Sequence, residues 1–256
     1  MVIQDIRYKK NYLFRVIFRV DFSSEIQQSR EKLVAFEKDV KPTFKRADDQ
    51  TLRGFQATIS KDGFTHEEAK IPLYKFTDTE KAKILTFEPS ALTLELAKYT
   101  VFDDFKEITD LVLNQFRKVY GDITVARAGL RYINTITLPK TKSGAFKWDN
   151  LIATELISAI DFPKNPEEIT RIMTVLELKK SDYRVLFRFG LYNSEYPNTI
   201  AKKEFALDYD CYTTEECELA EIPELITTFN NEIRNLFEAS IKKALRDKMG
   251  VVANGF

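Results

Sequence analysis

The sequence predicts an α+β protein in which one antiparallel sheet packs its apolar face on long helices. Three observations carry that prediction. Stretches of period-two apolar alternation recur along the chain; two long segments carry an apolar stripe at helical spacing; and the order of elements in residues 12–121 returns in residues 122–250. The order is strand, helix, meander, helix. No residue-level repeat accompanies it, so the expectation is a pseudo-two-fold duplication of pattern within a single domain, 1–256.

Residues 12–22 open the first half. Phe14, Val16, Phe18, Val20 and Phe22 alternate with Leu13, Arg15, Ile17, Arg19 and Asp21, the signature of a half-buried strand with Phe14 at the start of its core face. Ser23 or Ser24 can cap a following helix, with Ile26, Leu33, Phe36 and Val40 at helical spacing until Pro42 ends it. A charged loop then leads to shorter strand candidates at 54–60, 69–76, 82–88 and 91–99, read as an antiparallel meander, with Pro72 weakening the second. Residues 102–120 form an amphipathic helix with Phe105, Ile108, Leu111, Val112, Phe116 and Val119 on one side. Asp103 and Asp104 at its start, Arg117 and Lys118 at its end and Gly121 as C-cap all suit the helix dipole and the helix stop.

The second half begins with a long strand, 123–138, followed by a helix at 148–160 and strands at 169–179, 183–192 and 203–212. A last helix starts at Pro223, a favoured first-turn residue, and runs to about Met249 before Gly250. Its stripe is Leu225, Ile226, Phe229, Ile233, Leu236, Phe237, Ile241, Ala244 and Leu245.

Composition excludes several classes. With 256 residues, of which 44% are hydrophobic and 12% aromatic, the chain can bury a large core. Lys+Arg and Asp+Glu stand at 39 each, so no overall positive field recruits nucleic acid or an anionic membrane, and nucleic acid is disfavoured as a partner. Glycine and proline number only 8 each, which leaves no flexible linker. Arg7, Lys9 and Lys10 interrupt any secretory apolar region, and no run of about 18 apolar residues occurs; the expectation is a cytoplasmic protein with no membrane partner. Cys211 and Cys217 are expected to be reduced thiols.

The most informative feature is a set of arginines spaced four apart on three predicted strands: Arg15/Arg19, Arg127/Arg131 and Arg184/Arg188. Because strand side chains alternate, each pair shares a face, opposite the apolar one. In Arg127-Ala-Gly-Leu-Arg-Tyr-Ile-Asn134, Gly129 stands between two guanidiniums and offers room for a flat or anionic group, since arginine's fixed fork suits phosphate or carboxylate. Leu207-Asp-Tyr-Asp-Cys-Tyr212 presents a matching acidic face with Asp208 and Asp210. The candidate binding residues are therefore Arg15, Arg19, Arg127, Gly129, Arg131, Asn134, Arg184, Arg188, Asp208 and Asp210. Two readings stand side by side: a structural lattice of Arg–Asp pairs, each stabilising the sheet by about 0.2–1 kcal/mol, or an open cationic face that binds a ligand. In either, Arg127 and Arg131 are expected to point away from the helices, within ion-pair reach of Asp208 or Asp210.

Catalytic signals are poor, and neither a catalytic residue, a metal site nor a cofactor is implied. His66, the only histidine, falls in an expected charged loop, and no Walker or dinucleotide loop occurs. Glu177-Leu-Lys179, preceded by Asp161, matches the Glu-x-Lys arrangement of metal-dependent nucleases, but Glu68-Ala-Lys70 matches it equally well. These observations favour a non-catalytic binding or assembly protein that self-associates as a homodimer or binds another protein. The alternative is an anion or nucleic-acid surface on the arginine face, with or without nuclease activity.

Residues 127–134 (RAGLRYIN), 207–212 (LDYDCY) and 229–250 (FNNEIRNLFEASIKKALRDKMG) together resemble an uncharacterised, sporadically distributed prokaryotic family. That family is marked by an Arg-Gly-Leu-Arg-Tyr-Ile-Asn strand, an aspartate-rich later strand and a terminal helix. The resemblance spans essentially the whole chain and implies an intact domain rather than an activity. A patchy distribution of this kind is that of mobile-element or phage-defence genes, an association only. The family often has a histidine early in the terminal helix, where this chain has Asn230 or Asn231.

Overall fold

The computed structural model describes residues 7–60, 63–139 and 144–252, with backbone alone over 52–60 and 63–70. The described residues form an α+β structure whose main sheet is antiparallel and ten-stranded, accompanied by five α-helices. In chain order, β1 (Arg7–Tyr8) precedes the long β2 (Leu13–Phe22); α1 (Arg30–Val40) leads to the meander β3 (Arg46–Ser60), β4 (Gly63–Thr77), β5 (Lys83–Glu88) and β6 (Ala91–Leu96); and α2 (Phe102–Tyr120) closes the first series. The second comprises β7 (Thr124–Leu138), the short α3 (Thr154–Ile157), β8 (Thr174–Lys179), β9 (Tyr183–Gly190), β10 (Lys203–Thr213), β11 (Cys217–Glu218), α4 (Ile222–Ser240) and α5 (Lys243–Met249). Finally β12 (Val251–Val252) pairs with β1 as a separate two-stranded sheet.

Strand order in the main sheet is β3-β4-β5-β6-β2-β7-β10-β9-β8, with β11 on β7. The leading strands β2 and β7 are thus neighbours in the middle, and each meander is laid outward from its own leading strand. Tyr12 O accepts from Thr135 N at 2.9 Å, and Thr124 O accepts from Ser23 N at 3.1 Å, so β2 and β7 run antiparallel. By contact the chain divides into two compact units, Met1–Val16 with Leu130–Tyr212 and Thr227–Phe256, and Ile17–Gly129 with Thr213–Ile226.

The unit containing α1 and α2 is built on phenylalanine. Phe105, Val112 and Phe116 are fully buried on α2, where spacings of seven and four bring them to one face. Phe116 stacks on Phe22 of β2 at 5.3 Å and meets Phe87 of β5 and Phe36 of α1 edge-on at 5.3 and 5.7 Å. The Lys118 ammonium on Asp39 at 2.7 Å ties the two helices at their surface.

In the other unit the apolar faces of β9 and β10 meet α4. Tyr209 stacks on Phe187 at 4.4 Å, and Tyr183 lies 5.4 Å from Phe229. Two buried polar groups are satisfied within that layer: Tyr209 donates to Ser240 Oγ at 2.8 Å, and Tyr132 donates to Asn230 Oδ1 at 2.9 Å. A buried hydroxyl without such a partner would be destabilising.

Several expectations need correction. The helix after β2 starts at Arg30, capped by Ser29, whose side chain accepts from Lys32 N. Ser23 and Ser24 do not cap it, because Phe22 N and Ile26 N donate to the backbone oxygens of Ser90 and Pro89, which holds the intervening chain out of a helix. Phe14, expected in the core, is 57% exposed.

The supposed charged loop is strand, since β3 pairs with β4 along its entire length from Arg46↔Thr77 to Ser60↔Gly63, and His66 lies in β4 opposite Ala57 rather than in a loop. Pro72 is tolerated where β4 has only β3 beside it, its pairing with β5 starting at Tyr74. The helix expected at 148–160 is one α-helical turn, Thr154–Ile157, continued by a 3₁₀ turn; before it, Ile152 bridges Ile241 and Ala153 N donates to Ser240 O. The same bridge breaks the terminal helix. Lys242 N donates to Leu151 O, and its ammonium binds Asp149 O at 2.7 Å and Thr154 Oγ1 at 2.8 Å, so α4 stops at Ser240 and α5 starts afresh.

No helix among the described residues is long and apolar enough to cross a membrane.

Candidate functional site

The arginines gather in two clusters, one within each unit. The first gathers on β7, β9 and β10. Alternation places Arg131 on the face opposite the buried Leu130 and Tyr132, and Asp208 opposite the buried Leu207 and Tyr209. Arg131 then engages Asp208 with both prongs of its fork, Nε to Oδ1 at 2.7 Å and Nη2 to Oδ2 at 2.6 Å. Arg188 adds a single longer contact, Nη1 to Oδ2 at 3.4 Å. One carboxylate thus serves two guanidiniums. Asp208 is nearly buried, its side chain 9% exposed, while Arg131 and Arg188 keep 35% and 30%. The hydrogen bond to Asp208 raises the Arg131 pKa, against the effect of burial, and the charge of Asp210 adds to the rise.

At the margin of this cluster Arg184 meets Glu177 of β8 at 3.0 Å, and Tyr212 of β10 donates to the same carboxylate oxygen at 2.9 Å. Arg184 first and the Tyr212 hydroxyl second hold the Glu177 carboxyl below the usual glutamate range. Arg15 lies over the exposed Phe14 ring at 5.4 Å. Asp210 is half-buried.

The second cluster stands on β2, β6 and β7. Arg19 Nε donates to Asp21 Oδ1 at 2.7 Å and Nη1 reaches Thr93 Oγ1 at 3.5 Å, while Arg127 Nη1 lies 3.7 Å from Asp21 Oδ2. A Cβ placed on Gly129 would sit 3.1 Å from Arg127 Nη1. The room that glycine leaves is therefore filled by the Arg127 guanidinium folded over the backbone, and not open for a flat ligand.

The expectation for Arg131 is met by Asp208. For Arg127, Asp21 is a partner that the sequence reading missed, although Arg19 and Asp21 are two apart and so on one face. Asn134 belongs elsewhere: three positions from Arg131, it projects to the opposite face, is buried, and donates to Leu207 O at 3.2 Å. Glu177 and Tyr212 also escaped notice as partners of the arginine face. Their link depends on β8, β9 and β10 lying side by side, which no local pattern reveals.

Among the described residues no group of three or more His, Cys, Asp or Glu is placed to hold a metal ion. Cys211 and Cys217 are free thiols, and burial pushes both pKa values up, which suppresses the reactive thiolate. The side chains of His66, Glu68 and Lys70 lie outside the described residues.

No family model matches the chain, and no curated protein matches it. The resemblance read from residues 127–134, 207–212 and 229–250 stands on those motifs alone. Of Asn230 and Asn231 near the start of the terminal helix, Asn230 is 2% exposed and accepts from the Tyr132 hydroxyl in the core.

Proposed function

We propose that this chain is a non-catalytic binding or assembly protein that self-associates as a dimer. The observation that carries the reading is the Arg131–Asp208–Arg188 triad. A face whose guanidiniums are engaged by the chain's own carboxylates has spent the groups that would otherwise capture a phosphate, and the Arg19–Asp21–Arg127 cluster repeats the arrangement. Exposed apolar side chains lie elsewhere, at Met173, Val175 and Leu176 on and beside β8, which suits a protein partner. The proposed compartment is the cytoplasm, in keeping with two unpaired thiols.

The test is light scattering behind size-exclusion chromatography at micromolar concentration. A dimer of about twice 29.8 kDa is expected; a strict monomer overturns the reading.

One observation favours a second reading, an anion or nucleic-acid surface. Arg188 holds Asp208 by one long contact and remains partly exposed, so a phosphate could draw it away. Binding of that kind weakens steeply with salt, whereas an apolar protein interface does not. Nuclease activity is the weakest variant of it, because Glu177 is held by Arg184 and Tyr212 rather than turned toward a metal; Mg²⁺-dependent cleavage lost in Glu177→Gln would revive it.

A further inference from the structure

We infer that β8 is the dimerisation edge, pairing antiparallel with β8 of a second copy about a two-fold axis through Leu176. This rests on the self-association proposed above and names the surface responsible. Among the described residues the strand ends the sheet, with β9 on one side only, and five of its six residues, Thr174–Glu177 and Lys179, are exposed. Its outer edge is a row of backbone donors and acceptors open to another strand.

Natural edges are guarded by proline, a bulge or an outward charge. The β8 sequence, Thr-Val-Leu-Glu-Leu-Lys, has no proline; its one carboxylate is drawn back over its own sheet by Arg184 and Tyr212, and its one ammonium, on the exposed Lys179, stands at the last position of the strand. The opposite end of the sheet differs: Arg46, Asp48 and Asp49 stand exposed on β3. Over the described side chains, charge is denser at that edge than at β8, whose single lysine lies at the strand's end.

The apolar face supplies the driving force. Tyr209 stacks on Phe187, Phe187 is opposite Leu176 in the β9–β8 register, and the row then ends with Leu176 at 43% exposure. A second Leu176 placed directly opposite would continue this row and cover its end.

Register follows from parity and charge. Two copies that present the same face must pair residues whose numbers sum to an even value. An axis through Glu177 would set two carboxylates opposite each other, which is unfavourable. An axis through Leu178 would run Met173 and Val175 past the end of the partner strand, against its 180–183 turn. Only an axis through Leu176 uses the whole strand without opposing like charges: Thr174 faces the partner's Leu178, Val175 the partner's Glu177, and Met173 the partner's Lys179.

Cysteine cross-linking of the full chain in a Cys217→Ser background tests this. Leu176→Cys places two thiols on directly opposed residues, within disulfide reach, whereas in Leu178→Cys the thiols stand about 13 Å apart along the strands. After mild oxidation most of the Leu176→Cys protein should run as a covalent dimer on a denaturing gel, and Leu178→Cys should remain single. Leu176→Lys, an exposed substitution that spares the core, should raise the dimer dissociation constant at least tenfold. Cross-linking of Leu178→Cys instead, or of both variants equally, overturns the proposed axis. A wild-type dimer that survives Leu176→Lys and yields neither cross-link overturns β8 as the edge while leaving self-association standing; a monomeric wild type overturns both.

Discussion

Replacing Arg131 by alanine separates a structural arginine face from a ligand-binding one. The substitution removes two short charge-assisted hydrogen bonds to Asp208, whose side chain is 9% exposed and is left with the single 3.4 Å contact to Arg188. Hydrogen bonds to charged groups contribute about 1.5–3 kcal/mol each, and stranding a fully buried partner costs about 3–5 kcal/mol. Because Arg131 is itself one-third exposed and Arg188 retains part of the compensation, a loss of about 2–3 kcal/mol is expected. For a chain of this length that corresponds to a fall in Tm of about 5–10 °C. Chemical denaturation monitored by circular dichroism measures it, and a double-mutant cycle with Asp208→Ala isolates the pair. A coupling energy of about 1.5 kcal/mol or more is expected. A change below about 0.5 kcal/mol, accompanied by loss of binding to an anionic ligand, would refute the argument that these arginines serve the fold.

Other outcomes follow from the same structure. Gly190→Ala should be severely destabilising, since its φ of +149° is unfavourable for a side chain and the added Cβ would lie 2.0 Å from Ile172 O; little or no soluble folded protein on expression is the readout. Phe116→Ala should cost about 3–5 kcal/mol in urea denaturation because its ring is fully buried against Phe22, Phe36 and Phe87. Glu177 should titrate below the ordinary glutamate range by carbonyl NMR and return toward it in Arg184→Gln. Its folded pKa is depressed, so its contribution to stability is present above the unfolded value and fades as pH falls through the folded one; an unchanged titration in the variant would contradict the assignment. At pH 8 a thiol reagent should modify Cys217 before the buried Cys211, as followed by mass spectrometry of the intact protein.

What the sequence made legible were elements whose local signals agree with their burial. Helix α2 begins at Phe102 and ends at Tyr120, as its apolar stripe, its end charges and Gly121 dictate. Strands β2 and β7 alternate because one face meets a core. The β3–β4 hairpin was underestimated for the converse reason: over Arg46–Thr51, side chains exposed at the edge of the sheet have no need of an apolar period. Residues 148–153 and the α4–α5 break hid in helical spacing, because a tertiary link, Ile152 to Ile241, overrides local preference there. At the site, parity alone assigned Arg131 and Asp208 to matching faces. It did not supply register, and so Asp21 as partner of Arg127, Glu177 as partner of Arg184, and the guanidinium over Gly129 emerged only from the fold.

The central claim, an internally neutralised arginine face on a self-associating protein, is tested most directly by sedimentation velocity at 50 and 500 mM salt, with and without a labelled single-stranded oligonucleotide. A dimer that persists at both salt concentrations, with the oligonucleotide sedimenting free, is the predicted result. A monomer that carries the oligonucleotide at low salt and releases it at high salt would contradict the account.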